Sequence, residues 1–133
     1  MKKKYVERYL EEVSKISKTI DKKKINKVIN RLVKLRKENG RIFFIGVGGS
    51  ASNCSHAVND FRKIAQIESY TPVDNVAELT ARTNDEGWDT VFSAWLERSR
   101  VNKKDLLFVL SVGGGNIKKN VSVNLIHAIN YAI

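Results

Sequence analysis

The chain has 133 residues, a single cysteine and a formal charge of +10, a length that suits one domain with a modest core. Cys54 has no second cysteine to pair with, which excludes an internal disulfide, and no apolar run approaches the roughly 20 residues of a membrane span. The N-terminus MKKKYVERYLEEVSK carries charges where a secretion signal needs an apolar stretch, so the expectation is a cytoplasmic chain with no membrane contact.

The charge is unevenly placed. Residues 1 to 40 hold 14 Lys/Arg against 5 Asp/Glu, leaving 10 against 9 for residues 41 to 133 out of totals of 24 and 14. No aromatic interleaving and no helix-turn-helix, finger or RNA-recognition signature accompanies the excess. It reads as a solvated helix face, with nonspecific polyanion contact as the alternative and no specific nucleic-acid partner.

In chain order, Tyr5/Val6, Tyr9/Leu10, Val13, Ile16 and Ile20 recur at three and four, and so do Ile25, Val28/Ile29, Leu32 and Leu35 after Asp21. That spacing predicts two amphipathic helices, the second capped by Asp21 and stopped by a left-handed turn at Asn39-Gly40. The apolar stripe of the first helix suits either a core or another subunit. RIFFIG is then a strand of the type buried on both faces, and Ser50 to Ile67 a helix with Ala57, Val58, Phe61, Ile64 and Ala65 inward. A weak strand at Glu68 to Thr71 ends at Pro72, and Asn75-Val-Ala-Glu78 resembles a capping box. TNDEG, residues 83 to 87, is expected to break that short helix. Trp88 to Arg100 is the next helix, with both tryptophans expected in the core, and DLLFVLS a last buried strand. After VGGGN a final helix is expected from Asn120 to Ile133.

Alternating strands and helices predict an α/β fold with a parallel sheet and right-handed crossovers. Six of the eight glycines, Gly46, Gly48, Gly49, Gly113, Gly114 and Gly115, fall in two strand-to-helix turns. With strand order 2-1-3 the two turns face one crevice at the topological switch point. Bare helix N-termini favour an anion there. The Gly46-Val-Gly48-Gly-Ser-Ala51 run formally fits a dinucleotide fingerprint, with Glu68 about 20 residues on as the ribose-binding acid. No Gly-Lys-Ser/Thr ending supports a nucleoside triphosphate, and a second glycine turn favours a small phosphorylated ligand over a dinucleotide. His56 and Asp60 stand at i and i+4, which suits either an ordinary surface pairing or part of a metal site; Cys54 reads as a small buried thiol.

Gly48-Gly49-Ser50, His56, Thr83-Asn84-Asp85-Glu86-Gly87, Val91-Phe92-Ser93 and the Ser111 turn, behind paired N-terminal helices, resemble the SIS (sugar isomerase) domain family of the phosphoheptose isomerase type. The resemblance implies a flavodoxin-like parallel sheet sandwiched by helices, a homo-oligomer, zinc, and interconversion of sedoheptulose 7-phosphate with the heptose 7-phosphate of bacterial lipopolysaccharide. It implies that Gly48, Gly49 and Ser50 hold phosphate or sugar, with Ser111, Gly113 and Asn116 on the second turn. Asn84 and Asp85 would touch sugar hydroxyls, and His56 and Asp60 would ligate the metal, Asp60 also serving as the catalytic carboxylate. Proton shuttling between C1 and C2 needs such a base and an electrophile for the enediolate.

Departures from the family pattern are Asp60 for glutamate, Val47 for asparagine, and Ser111-Val-Gly-Gly-Gly-Asn116 for a turn with three further hydroxyls. The resemblance implies a division into a helical pair, 1 to 40, and a partial SIS domain, 41 to 133, comprising the first three β/α units. The family's last strands are expected to be missing, which predicts an inactive chain with an open sheet edge at residues 105 to 111. A noncatalytic sugar-phosphate-binding module and a nicotinamide-binding domain are the alternative readings.

Overall fold

A computed structural model describes residues 4–133. Residues up to Val33 form one compact unit and Lys34–Ile133 a second. The first holds helix α1 (Tyr5–Thr19) and most of α2 (Lys22–Lys37). Asp21 caps α2 as expected: its Oδ1 accepts from the N–H groups of Lys23 at 2.9 Å and Lys24 at 3.1 Å. Asn39, at φ 53°, supplies the left-handed stop, and the Gly40 N–H closes on the Leu35 carbonyl at 3.0 Å. No residue of α1 is buried; Tyr5, Val6, Tyr9, Leu10, Val13 and Ile16 are all exposed.

In the second unit β1 (Ile42–Gly46) is followed by α3 (Gly49–Lys63), then β2 (Ser69–Tyr70) and a 3-10 turn at Pro72–Asp74. After these come α4 (Val76–Glu86), α5 (Val91–Arg98), β3 (Leu106–Leu110) and α6 (Val123–Ala132). The sheet is parallel with order β2-β1-β3, the arrangement expected from the sequence. All five residues of β1 are buried, because β1 is central and covered on both faces. Its alternation divides the core. Phe43 and Ile45 pack with Val91, Phe92, Trp95, Leu96, Leu125 and Ala128 of α5 and α6. Phe44 faces the other way, edge-on to Phe61 of α3 at 5.1 Å. Full burial of each such side chain contributes about 1.5–3 kcal/mol.

At the amino end of the sheet Arg41 grips Asp105. Its guanidinium donates to both carboxylate oxygens, the shorter at 2.7 Å, and to the carbonyls of Ser99 and Arg100. Burial by itself would raise the Asp105 carboxyl, but hydrogen bonds from Arg41 and from the Asn102 and Arg41 backbone N–H groups outweigh it and hold the carboxyl below its ordinary value. The pair locks β1 to β3 at the end away from the glycine turns.

Four local expectations need correction. Helix α4 runs through Thr83, Asn84 and Asp85 to Glu86 and stops only at Gly87, φ 90°. Thr83 Oγ1 bonds back to the Leu79 carbonyl, and Arg82 bridges Glu78 and Glu86, so polar residues that suggest a break are satisfied inside the helix. Trp88 is exposed and lies against Phe92 at 5.8 Å, while Trp95 is in the core. Ile64, expected inward, is 74% exposed because α3 ends at Lys63 and the chain turns at Gln66, φ 55°. The last helix begins at Val123, and residues 116 to 121 form a small antiparallel hairpin instead. The weak strand and the Asn75 cap are both present, Asn75 Oδ1 accepting from the Glu78 N–H at 3.2 Å.

Candidate functional site

The register of the sheet brings the glycine turns together. Gly46 pairs with Leu110, so the turn after β1 and the turn after β3 leave neighbouring strands at the same level. Parallel neighbours lie about 4.8 Å apart. Ser50 and Ser111 therefore belong to one rim of the sheet.

The turn after β1 is built by two glycines with different duties. A Cβ on Gly46 would come within 2.8 Å of the Ser50 carbonyl carbon and 2.9 Å of its oxygen, so its bareness lets α3 start hard against the strand. Gly48 has φ 63° and ψ −128°, a conformation open essentially to glycine. As the N-cap of α3 it offers no side chain to the helix, and the first turn contains no acidic residue. The first N–H groups of α3 lack intrahelical acceptors and the positive end of the helix dipole is uncovered, which together suit an anion. A Cβ on Gly48 or Gly49 would meet nothing within 4 Å, so the space in front of the helix is open.

The turn after β3 is as open: Cβ atoms on Gly113 and Gly114 would meet nothing within 4 Å. Ser111 Oγ accepts from the Gly114 N–H at 3.0 Å, which sets the turn and leaves the hydroxyl proton free to donate to a ligand. Asn116 is partly committed, its Oδ1 accepting from the Lys119 N–H at 3.0 Å, so only its amide NH2 is left for a ligand.

His56 and Asp60 meet on one face of α3, Nε2 to Oδ2 at 3.2 Å, with side chains 78% and 42% exposed. His56 lies seven residues into α3, about 10 Å along the axis from its start. Two donors of a tetrahedral zinc stand roughly 3.3 Å apart, so the pair matches one edge of such a site. A zinc site takes three or four donors, and among the described residues no third His, Cys, Asp or Glu joins the pair. The pair does not make a zinc site by itself. Asn84 and Asp85 sit on the last turn of α4, Asn84 Nδ2 donating to Asp85 Oδ1 at 2.8 Å, and among the described residues no hydrogen bond links them to either glycine turn. Cys54 is fully buried, and burial with help from the Asp74 carboxylate pushes its thiol up to about 11. That makes it inert, as expected of a packing residue.

Glu68 rules against the dinucleotide reading. It precedes β2, its carbonyl accepting from the Ile42 N–H at 2.8 Å and its carboxylate from the Tyr70 hydroxyl. The strands being parallel, Glu68 is at the amino end of the sheet, on the rim opposite the glycine turns. A ribose bound beyond the carboxyl ends could not reach it.

Sequence reasoning missed two features. Ser55 Oγ donates to Asp74 Oδ1 at 2.6 Å, tying α3 to the turn after β2; no spacing rule announces such a long-range pair. The hairpin at 116 to 121 was masked by the apolar Val121, but Asn-rich NIKKN is a recognisable turn signal.

Strand order and the two glycine turns at the switch point define an α/β domain with an open crevice at the carboxyl ends of β1 and β3. Residues 4–131 match the SIS domain family, and the chain belongs to that family. It is 27% identical over 114 residues to a probable phosphoheptose isomerase of Thermoplasma volcanium, covering 82% of this chain and 58% of the relative. The lincomycin biosynthesis protein LmbN of Streptomyces lincolnensis is 33% identical over 96 residues, 65% of this chain and 33% of LmbN. The structure of phosphoheptose isomerase GmhA from Neisseria gonorrhoeae superposes with a TM-score of 0.66 at 25% identity, covering 97% of this chain and 69% of that one. The chain thus spans little more than half the length of the Thermoplasma relative.

Proposed function

We propose that this chain binds a sugar phosphate with its phosphoryl group between the two glycine turns, and that it serves aldose–ketose isomerisation of the phosphoheptose type. The observation that carries the reading is the Gly46 to Leu110 register, which sets two bare turns side by side. Helix α3 then runs from the phosphate position toward His56, about 10 Å along its axis and on the scale of a seven-carbon chain, with Asp60 one helical turn further and its carboxylate turned back to His56 at 3.2 Å. In this reading Asp60 carries a proton between C1 and C2, and His56, 3.2 Å away, orients it. Ser111 and the amide of Asn116 donate to phosphoryl or hydroxyl oxygens. Zinc at His56 and Asp60 would polarise the sugar carbonyl, and requires at least one further donor. Asn84 and Asp85, at the end of α4, would contact sugar hydroxyls. The exposed apolar face of α1 supports self-association, a stripe of Tyr5, Tyr9, Leu10, Val13 and Ile16 along one helix.

The His56–Asp60 pair without a third donor favours a second reading, a sugar-phosphate-binding module without turnover. Calorimetric titration with sedoheptulose 7-phosphate and with sedoheptulose, followed by a turnover assay on the same protein, tests both. The phosphate ester should bind and the free sugar should not; equal affinity for both removes the phosphoryl role of the turns. Binding with turnover supports the isomerase, and binding alone supports the module.

A further inference from the structure

Neither glycine turn contains a cation: Gly46-Val-Gly-Gly-Ser-Ala-Ser52 and Ser111-Val-Gly-Gly-Gly-Asn116 are neutral throughout. A phosphate dianion held only by backbone N–H groups, serine hydroxyls and the Asn116 amide meets partial positive charges but no full cation. The next residues along the chain do carry charge, and the fold holds them in a fixed place. Asn116 and Val121 form a paired bridge, N–H to carbonyl in both directions at 2.7 and 3.0 Å. Between them Ile117-Lys118-Lys119-Asn120 makes a tight turn closed by the Asn120 N–H on the Ile117 carbonyl at 3.1 Å. Asn120, at φ 51°, takes the left-handed position that a four-residue hairpin loop demands. Asn116 Oδ1 braces the turn on the Lys119 N–H.

The base of the hairpin is clamped as well. Gly115, φ 85°, leaves so little room that a Cβ would sit 3.0 Å from both the Ser122 carbonyl oxygen and Ile126 Cγ1. One leg therefore grows directly out of the glycine turn, and the other enters α6 two residues after Val121. Lys118 and Lys119 occupy the tip, both exposed, and neither forms an ion pair with a carboxylate among the described residues. An unpaired cation pair on a braced projection costs little to order when it meets an anion, in contrast to lysines on a free loop.

We propose that the 116–121 hairpin is the cationic arm of the phosphate site: Lys118 and Lys119 supply the positive charge that the two glycine turns lack, and so select a phosphorylated sugar over a neutral one. This rests on the phosphate-site reading above, and deepens it by assigning the charge.

The test uses the full chain and inorganic phosphate as probe, with isothermal titration and amide NMR shifts as readouts. Compared are the wild type, the double variant Lys118→Gln/Lys119→Gln, a charge control Lys23→Gln/Lys27→Gln on α2 and Gly49→Ala in the first turn. The expected result is phosphate binding by wild type and control, with the tip variant weakened about tenfold or more. An unchanged thermal midpoint and unchanged amide shifts outside residues 111–122 exclude misfolding of the tip variant, and a Lys118→Arg/Lys119→Arg variant should restore binding. If the tip variant binds like wild type while Gly49→Ala weakens binding, the hairpin proposal is wrong and the phosphate site stands. If tip variant and charge control lose affinity equally, long-range charge is responsible and the hairpin proposal is likewise overturned. If the wild type fails to bind phosphate at all, the site reading falls and the hairpin assignment falls with it.

Discussion

Replacing Gly46 with alanine tests how the first turn is built. The new Cβ would lie 2.8 Å from the Ser50 carbonyl carbon and 2.9 Å from its oxygen and Cβ, where ordinary contact begins at 3.4 Å. Two of those atoms are backbone, so the first turn of α3 must retreat by about 0.6 Å or β1 must bend. Overpacking of this kind costs about 1–3 kcal/mol, partly offset by about 0.4–1 kcal/mol from a stiffer unfolded chain. A net loss of about 1–2 kcal/mol lowers the melting midpoint by roughly 5–10 °C for a domain near 100 residues. Because Ser50 carries one of the first N–H groups of α3, phosphate affinity should fall together with stability. Gly49→Ala is the matched comparison: its Cβ meets nothing within 4 Å, so stability should hold or rise slightly while the ligand is crowded. Thermal unfolding and phosphate titration on both proteins decide the matter. A Gly46→Ala protein that melts within about 2 °C of wild type would refute the close-approach argument.

Three further outcomes follow from other parts of the molecule. Asp105→Asn should cost about 3 kcal/mol in urea unfolding at pH 7, since it strands Arg41. Its folded carboxyl lies below the ordinary value, so the stabilisation is present above about pH 4 and lost as pH falls through the folded value. The wild type should therefore lose more stability between pH 5 and pH 2 than the variant; parallel pH profiles would contradict this. Cys54, with its thiol pushed up to about 11, should react with a thiol reagent at pH 7.5 at least about a hundredfold slower in the native protein than after unfolding; equal rates would place it at the surface. Leu10→Asp on the open face of α1 should convert an oligomer to monomer in light scattering without changing the unfolding of residues 34–133; an unchanged mass would exclude that face as the contact.

Much of the architecture was legible because it rests on short-range rules. The continuous apolar run Ile42–Ile45 marks a central parallel strand, Asp21 and Asn75 mark helix starts, and paired glycine turns mark the switch point. Where local polarity is satisfied by neighbours one helical turn away, the reading fails. Thr83 to Glu86 resemble a breaker until Leu79 O and Arg82 are seen to absorb their polar groups. Exposure of Trp88 and Ile64 depends on where α5 begins and α3 ends, and boundaries are set by tertiary contacts that periodicity does not contain. In the site, the glycines and Ser111 come together through strand register, which the predicted order 2-1-3 already entailed. Glu68 lies at a distance along the chain that suits a ribose contact but on the wrong side of the sheet, in keeping with the preference for a small ligand over a dinucleotide. The Lys118–Lys119 tip was hidden by reading residues 120 onward as helix.

The central claim is that both glycine turns bind one phosphoryl group. Amide-resolved NMR during titration with a phosphate monoester tests it most directly. Gly49 and Ser50 on one turn and Gly113, Gly114 and Gly115 on the other should shift along a single binding curve with one dissociation constant. Shifts confined to one turn, or two curves with separate constants, would contradict it.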